Sequence, residues 1–363
     1  MSNGTHDDDV VPNDTAHGTH DVHSDADTAI RPVGSLSADQ VRNVLLAATA
    51  APSLLNTQPW RFRCTPDAIE LYTDRDREVR TADPDHREML LACGAALLNL
   101  RLAARAEGAY PMVRLFPRYD DPDLLASVRL QGRRVITPAD RELAEAIPRR
   151  RTNRRPFHPT AVSLRARNEL RRAAEAERAW LAIVSGGKLP DLRNLVHQAH
   201  WTQQRDTEFL TEFAMWTGRD GQNFDGVPIR SAGPLPEPQD EWVLRDFSAG
   251  TGQRRIPGKD FEPEPLIAVV GSFQDTPPAQ LQAGQAMQRV LLTATVHGLS
   301  ASFLSQVVEV EETRAELRKL LGGGLWPQTV LRIGHGTPVP ATPRRSLEDV
   351  MELNGKRLAA QSG

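Results

Sequence analysis

The sequence predicts an α+β chain built from two diverged copies of one αβ unit. Three observations predict it. Apolar runs of helical period alternate with short β-branched and aromatic runs along most of the chain. Gly94-Ala95-Ala96 opens a Leu-rich helical run that ends at Gly108, and Gly284-Gln285-Ala286 opens another that ends at Gly298. The Gly-to-Gly spacing is fourteen in both and the offset is 190 residues, so Leu100 matches Val290, Leu102 matches Leu292 and Ala104 matches Ala294. Finally, two polar stretches that carry chemistry, Ala51–Phe62 and Arg149–Phe157, fall one in each half, and neither recurs in the other.

The elements follow in order. Residues 1–34 read as a disordered acidic tail. Asp7, Asp8, Asp9, Asp14, Asp21, Asp25 and Asp27 stand there with His6, His17, His20 and His23, and too little apolar surface to offset ordering. Order is expected from Ser37. Ser37 and Gln40 have capping-box spacing, and Val41, Val44, Leu45 and Ala48 make an apolar stripe that stops before Pro52. Strands Trp60–Cys64 and Ile69–Thr73 follow, turned by Pro66-Asp67. Asp83 caps a helix with Pro84 in its first turn. Its leucines lie on more than one face, so it is expected to be buried. Strands Met112–Phe116 and Leu124–Leu130 come next, then a helix from Thr137-Pro138 to before Pro148. This first repeat is bounded as 35–148.

The second repeat is bounded as 149–350. It opens with a charged helix at Leu164–Ala176, a strand at Trp180–Val184 and one long helix from Pro190 to about Trp216. Residues 217–263 are rich in Gly, Pro and Asp and have little periodicity; a stretch this long without regular structure points to a lid-like insertion. Strand Pro265–Val270, helix Pro278–His297, strand Ala301–Gln306, helix Glu311–Leu320 and strand Thr329–Ile333 complete it, and 351–363 is left as a C-terminal tail. A Gly-x-Ala patch on a helix lets a second helix approach closely, as two copies around a shared axis require.

Composition narrows the function classes. The 363 residues carry a net charge of -3, which gives no global argument for nucleic acid or membrane binding. Cys64 and Cys93 are the two cysteines, too few for a disulfide framework or a thiolate metal site. No basic n-region with an apolar h-region opens the chain and no apolar run reaches a membrane span, so a cytoplasmic protein is expected. Only four of the 44 basic residues are lysines, a compositional sign of a high-GC genome. His197 and His200 lie i, i+3 on a predicted helix and read as structural, so no metal ligand is assigned.

The stretch Ala51-Pro52-Ser53-Leu54-Leu55-Asn56-Thr57-Gln58-Pro59-Trp60 sets four polar side chains between two prolines. Proline fixes φ, and a stiff loop rich in donors and acceptors suits a planar polar ring. A polar turn before a strand is the competing reading. Arg149-Arg150-Arg151-Thr152-Asn153-Arg154-Arg155 puts five arginines and a hydroxyl within seven residues. Guanidinium groups match phosphate oxygens, so a cofactor phosphate site, a nucleic-acid patch and a solvated charged loop all stand.

Together these residues resemble the nitroreductase superfamily. P-S-x-x-N-x-Q-P-W-x-F is similar to its flavin-contacting loop, and R-R-T-x-R followed by Phe is similar to its R-R-S-x-R flavin-phosphate motif. The one-motif-per-half arrangement with a long second-half insertion resembles the Acg family of actinobacterial FMN-binding proteins, over roughly residues 37–350. The resemblance implies a nitroreductase-like fold in which one chain mimics a homodimer, hence a monomer with one FMN. It implies that Pro52, Ser53, Asn56 and Gln58 meet the pyrimidine edge and ribityl chain, and that Arg150, Arg151, Thr152 and Arg154 hold the phosphate. Leu304 and Ser305 would offer backbone groups near the flavin N5 edge, although Gln306 departs from the family's smaller residues there. Arg344, in Pro343-Arg344-Arg345, would add a cation to the phosphate.

Two functions follow from the resemblance. One is an NAD(P)H-dependent flavoprotein oxidoreductase acting on an unidentified nitro or quinone-like acceptor. The other is an FMN-sequestering protein whose insertion covers the flavin, with Phe224, Pro228, Trp242 and Phe247 as anchors. The flavin supplies the hydride chemistry, so no catalytic side chain is assigned.

Overall fold

A computed structural model describes residue 1, residues 30–219, 224–255, 262, 265–353 and 356–357. Most of the histidine- and aspartate-rich tail lies outside them. Its last residues do not: Ile30, Val33 and Leu36 are buried in the main core, and Gly34 N–H donates to the Pro66 carbonyl. Ile30 and Val33, which the sequence places in the tail, are ordered with Leu36 because three apolar residues spaced by three can bury one face.

In the first copy, helix α1 (Ala38–Thr49) has the Ser37/Gln40 capping box. Strands β1 (Trp60–Cys64) and β2 (Ala68–Thr73) form an antiparallel hairpin. Helix α2 spans Arg87–Ala106. Its start falls later than expected: Asp83 caps from the preceding turn, its carboxylate accepting from the Glu88 and Met89 N–H groups at 2.9 Å each. Strands β3 (Ala109–Leu115) and β4 (Leu124–Arg133) follow, then α3 (Pro138–Ala146) capped by Thr137.

The second copy begins with α4 (Leu164–Ala176) and β5 (Trp180–Val184). The long helix expected next is two helices, α5 (Lys188–Gln204) and α6 (Thr207–Trp216). Asp206 breaks it, because its carboxylate caps the new helix at Glu208 N and Phe209 N. Strand β6 (Leu266–Ser272), helix α7 (Pro277–Val296) and strand β7 (Ser300–Phe303) come after the insertion. The chain closes with α8 (Gln306–Glu309), α9 (Glu311–Leu320), β8 (Trp326–Gly334), α10 (Leu347–Val350), β9 (Met351–Leu353) and β10 (Lys356–Arg357).

Among the described residues the strands form two sheets, ordered β10-β9-β1-β2-β4-β3 and β5-β6-β8-β7. Each copy thus arranges its own four strands as first, second, fourth, third, all antiparallel. Residues 351–353, at the start of the expected C-terminal tail, form β9, which crosses to the first copy and pairs parallel with β1, Met351 opposite Phe62.

The two Leu-rich helices α2 and α7 sit between the sheets and pack on each other. Both begin and end with the same separation of 190 residues. A Cβ at Gly94 would stand 2.2 Å from the Leu281 carbonyl oxygen, and one at Gly284 would stand 2.2 Å from the Leu91 carbonyl oxygen. This reciprocity is what a two-fold relation between copies requires. Polar links cross the pair from Gln288 Nε2 to Asn99 Oδ1 at 2.8 Å and from Arg101 Nη1 to Gln285 Oε1 at 2.6 Å. By length and composition α2 could cross a membrane, but 83% of its apolar window is buried within the protein, as in a core helix.

Candidate functional site

The loop between α1 and β1 is strained. Leu55, Asn56 and Gln58 have φ of 48°, 60° and 54°, a region that L-residues enter at about 1–2 kcal/mol each. Side-chain hydrogen bonds hold it there. Gln58 N–H donates to Ser53 Oγ at 2.9 Å. Asn56 Nδ2 donates to the Gly226 carbonyl at 2.9 Å, and Gln58 Nε2 to the Phe224 carbonyl at 2.7 Å. Asn56 Oδ1 accepts from Arg344 Nη1 at 2.9 Å, and Gln58 Oε1 from the Arg345 N–H at 2.8 Å. Both amides are therefore engaged by the insertion and the C-terminal segment.

Arg344 is likewise engaged. Its guanidinium donates to the carbonyls of Thr49 and Ala51 at 2.9 Å each, closing the C-terminal end of α1, where a cation also meets the helix dipole. It supports the loop and adds positive charge without a free N–H aimed outward.

The arginine-rich segment runs along edge strand β7. Thr152 bridges to Ala301, and Asn153 N–H donates to the Ala301 carbonyl at 2.9 Å. Asn153 Nδ2 donates to the Thr337 carbonyl at 2.9 Å, and Arg332 Nη2 to the Arg155 carbonyl at 3.0 Å. Arg332 is itself buried, paired with Glu262 and stacked on Phe157. Asn153 and Arg332 were not singled out from the sequence; a charge inside the apolar strand Val330–Ile333 was the available signal.

This scaffold gathers cations without counter-charge. Arg150 is buried, with Nη1 at 3.4 Å from Thr152 Oγ1, and its Nε meets no partner among the described residues. Burial, then the charges of Arg344, Arg151 and Arg154, push its guanidinium down to about 9. Burial brings Arg154 to about 10, and burial with Arg151 brings Arg344 to about 10. Arg154 Nη1 donates to the Ser231 carbonyl at 2.8 Å, and its guanidinium sits 4.5 Å from the Phe247 ring centroid. Arg151 turns back on the carbonyls of Pro148 and Arg150. None of the four pairs with a carboxylate among the described residues, and an unpaired buried charge is costly.

A cleft joins the two motifs. Pro52, Ser53, Leu54 and Leu55 line one side, and Thr152 and Arg154 the other. Glu88, Leu91 and Ala92 of α2 and Met287 of α7 form its back, and Ser302, Phe303 and Ser305 its edge. Arg245 and Phe247 of the insertion also enter it. Leu304 does not line it: its N–H donates to the Val330 carbonyl at 2.9 Å and its side chain belongs to a neighbouring core. The strand register therefore removes Leu304 as a donor to the cleft. Gln306, expected in the strand, begins the short helix α8. Among the expected anchors, Trp242 is buried and Phe247 reaches the cleft, whereas Phe224 exposes its ring and contributes its carbonyl. Cys93 is buried against the Pro59 carbonyl, and burial pushes the Cys64 thiol up to about 12, so neither sulfur is nucleophilic.

No family model matches the chain. It is 37% identical over 324 residues to "Putative NAD(P)H nitroreductase Rv3131" of Mycobacterium tuberculosis H37Rv, covering 87% of this chain and 92% of that protein. It is 30% identical over 331 residues to "Putative NAD(P)H nitroreductase acg" of the same strain, covering 90% and 99%. Among solved structures, the Bacteroides fragilis nitroreductase with bound FMN aligns at 14% identity and a TM-score of 0.34, covering 54% of this chain and 89% of that one.

Proposed function

This chain belongs to the nitroreductase family of these mycobacterial proteins, and from that premise we propose that it holds one FMN in the cleft between its copies and acts as an NAD(P)H-dependent oxidoreductase on nitro or quinone-like acceptors. The observation that carries the proposal is the cluster of Arg150, Arg151, Arg154 and Arg344, without a carboxylate among the described residues, beside a cleft walled by the Pro52–Leu55 loop. The orphaned Arg150 Nε and the mutual repulsion of these charges call for an anion, and a phosphate monoester meets that demand. The residues present therefore fit the group.

FMN, when bound, supplies two-electron hydride chemistry of its own. Arg150, Arg154 and the Thr152 hydroxyl would hold its phosphate, with Arg151 and Arg344 adding charge. Pro52 and Ser53 would stand against the ring and its chain. Asn56 and Gln58 act by fixing the loop, and Ser305 borders the far edge of the cleft. Leu91 and Met287 exclude water at the back. Free Cys64 and Cys93 support a reducing, cytoplasmic setting, and the internal pairing of copies supports a monomer.

A second reading has its own observation. Arg245 and Phe247 enter the cleft, and the insertion is tied down on Asn56 and Gln58. An insertion that stays closed would bar a nicotinamide and leave a flavin store with little turnover. One experiment addresses both. A visible spectrum of the purified protein should have a flavin band, which NADPH should bleach. Without a band the flavin reading falls, whereas a band that NADPH leaves intact favours storage.

A further inference from the structure

We propose that Glu88 is the proton donor of the cleft: when a quinone-class acceptor has taken up a hydride there, the Glu88 carboxyl supplies the second proton. The proposal rests on the oxidoreductase reading above. The step balances. A hydride brings two electrons and one proton and converts a quinone into a hydroquinone anion. The Glu88 O–H bond breaks, its proton goes to the anionic oxygen, and Glu88 is left as a carboxylate that regains a proton from water. The electrons come from the nicotinamide donor.

The placement of Glu88 motivates this role. It lies in the first turn of α2 and shares the cleft wall with Leu54, Leu91 and Met287. It supplies the one carboxylate among the described residues that line the cleft. The residue is 8% exposed, so its charged form is poorly hydrated. Oε1 accepts from Arg87 Nη2 at 2.8 Å. Oε2 accepts no hydrogen bond among the described residues, and Glu88 lines the cleft. Arg87 is shared: it also donates to the Val308 carbonyl at 3.1 Å and to the Gln328 carbonyl. It therefore orients Glu88 without belonging to it alone.

The groups around Glu88 pull in both directions. Burial raises it, Arg87 on its own helix lowers it, and Asp83 of the preceding turn and Glu309 of α8 raise it, so that it is held at about 7. Arg245 and Arg154 face the same cleft from the insertion and the arginine segment. Such a group changes protonation near neutral pH, as a proton donor must. A glutamate with only a structural role among leucines would have both oxygens engaged.

The test uses the full-length protein with bound FMN, reduced with dithionite and mixed with menadione, so that it needs no nicotinamide. Flavin reoxidation is followed between about pH 5.5 and about pH 8.5. The wild-type rate should be highest in acid and fall above about pH 7, because the acid form is the donor. E88Q should be slower by about 100-fold at low pH, and flat. Infrared difference spectra between the same pH values should contain a protonated-carboxyl band that E88Q lacks. An E88Q protein with the wild-type pH profile and band overturns the proposal. If E88Q does not fold, E88D should restore donation with a displaced inflection, and an unmoved inflection overturns it equally. Absence of a flavin band in the wild type defeats the FMN reading itself, and is seen before any variant is made.

Discussion

Arg150→Ala should move stability and cofactor affinity in opposite directions. Arg150 is buried, contacts Thr152 weakly at 3.4 Å and has no carboxylate partner among the described residues. Burial and three neighbouring arginines push it down to about 9, so at neutral pH it is still charged and the protein without ligand bears that repulsion. Removing the charge relieves the repulsion and opens a cavity in its place; the two effects oppose. The ligand-free variant should therefore melt no lower than wild type. Binding behaves otherwise. A hydrogen bond to a charged group contributes about 1.5–3 kcal/mol, and tenfold in Kd is about 1.4 kcal/mol, so FMN should bind about 10- to 150-fold more weakly. Fluorescence titration of stripped protein with FMN gives the affinity, and thermal melts with and without FMN give the stability. A variant that loses stability without ligand yet binds FMN as tightly as wild type would refute the reasoning, since Arg150 would then be a structural residue.

Two further outcomes follow from the packing. Gly94→Ala places a Cβ 2.2 Å from the Leu281 carbonyl oxygen, where only a backbone shift gives relief; urea unfolding should record a loss of roughly 2–4 kcal/mol, and an unchanged midpoint would mean that α2 and α7 do not meet here. Asn56→Ala removes bonds to Gly226 and Arg344 and should loosen loop and insertion together, by about 1–3 kcal/mol, read as faster proteolytic nicking within residues 224–255 and weaker FMN binding; a cleavage rate equal to wild type would sever that link.

Local signals were legible in the sequence and long-range ones were not. Ser37 and Thr137 each begin a helix because a hydroxyl precedes an amphipathic run. The strands Trp60–Cys64 and Trp180–Val184 were likewise readable from β-rich composition. The break at Asp206 was missed because apolar periodicity continues across it, although Asp206 itself is a capping residue. The return of Met351 to β1 leaves no local trace, since a parallel pairing across the whole chain depends on the fold already formed. At the site, the residue types were readable, but their directions were not. Asn56, Gln58 and Arg344 belong to the expected constellation, yet they bond to one another, the insertion and a helix end. Periodicity says which face a residue occupies, not which partner claims its polar atoms.

The asymmetry between copies bears on why one site is expected and not two. After α1 the chain takes ten residues to reach β1, and these make the cleft loop; after α4 it takes three, Glu177, Arg178 and Ala179, to reach β5. In place of a loop, the second copy puts Glu177, 3% exposed, between the far halves of the central helices. Its carboxylate accepts from Arg101 Nη1 of α2 at 2.7 Å and from Arg289 Nε of α7 at 2.9 Å. Arg101 also donates to Gln285 at 2.6 Å, and Gln282 donates to the Glu177 carbonyl at 2.9 Å. The central helices thus hold a carboxylate shared by two arginines at Glu177, whereas Arg150, Arg151, Arg154 and Arg344 beside the cleft pair with no carboxylate among the described residues. Breaking a buried ion pair costs about 3–5 kcal/mol, so a second anion would have to displace Glu177 against that cost with no loop to receive its ring. The cluster beside the cleft meets the opposite condition, because an anion there removes a repulsion already present. On the proposed reading, charge balance therefore favours a phosphate-bearing ligand beside Arg150 over one beside Glu177.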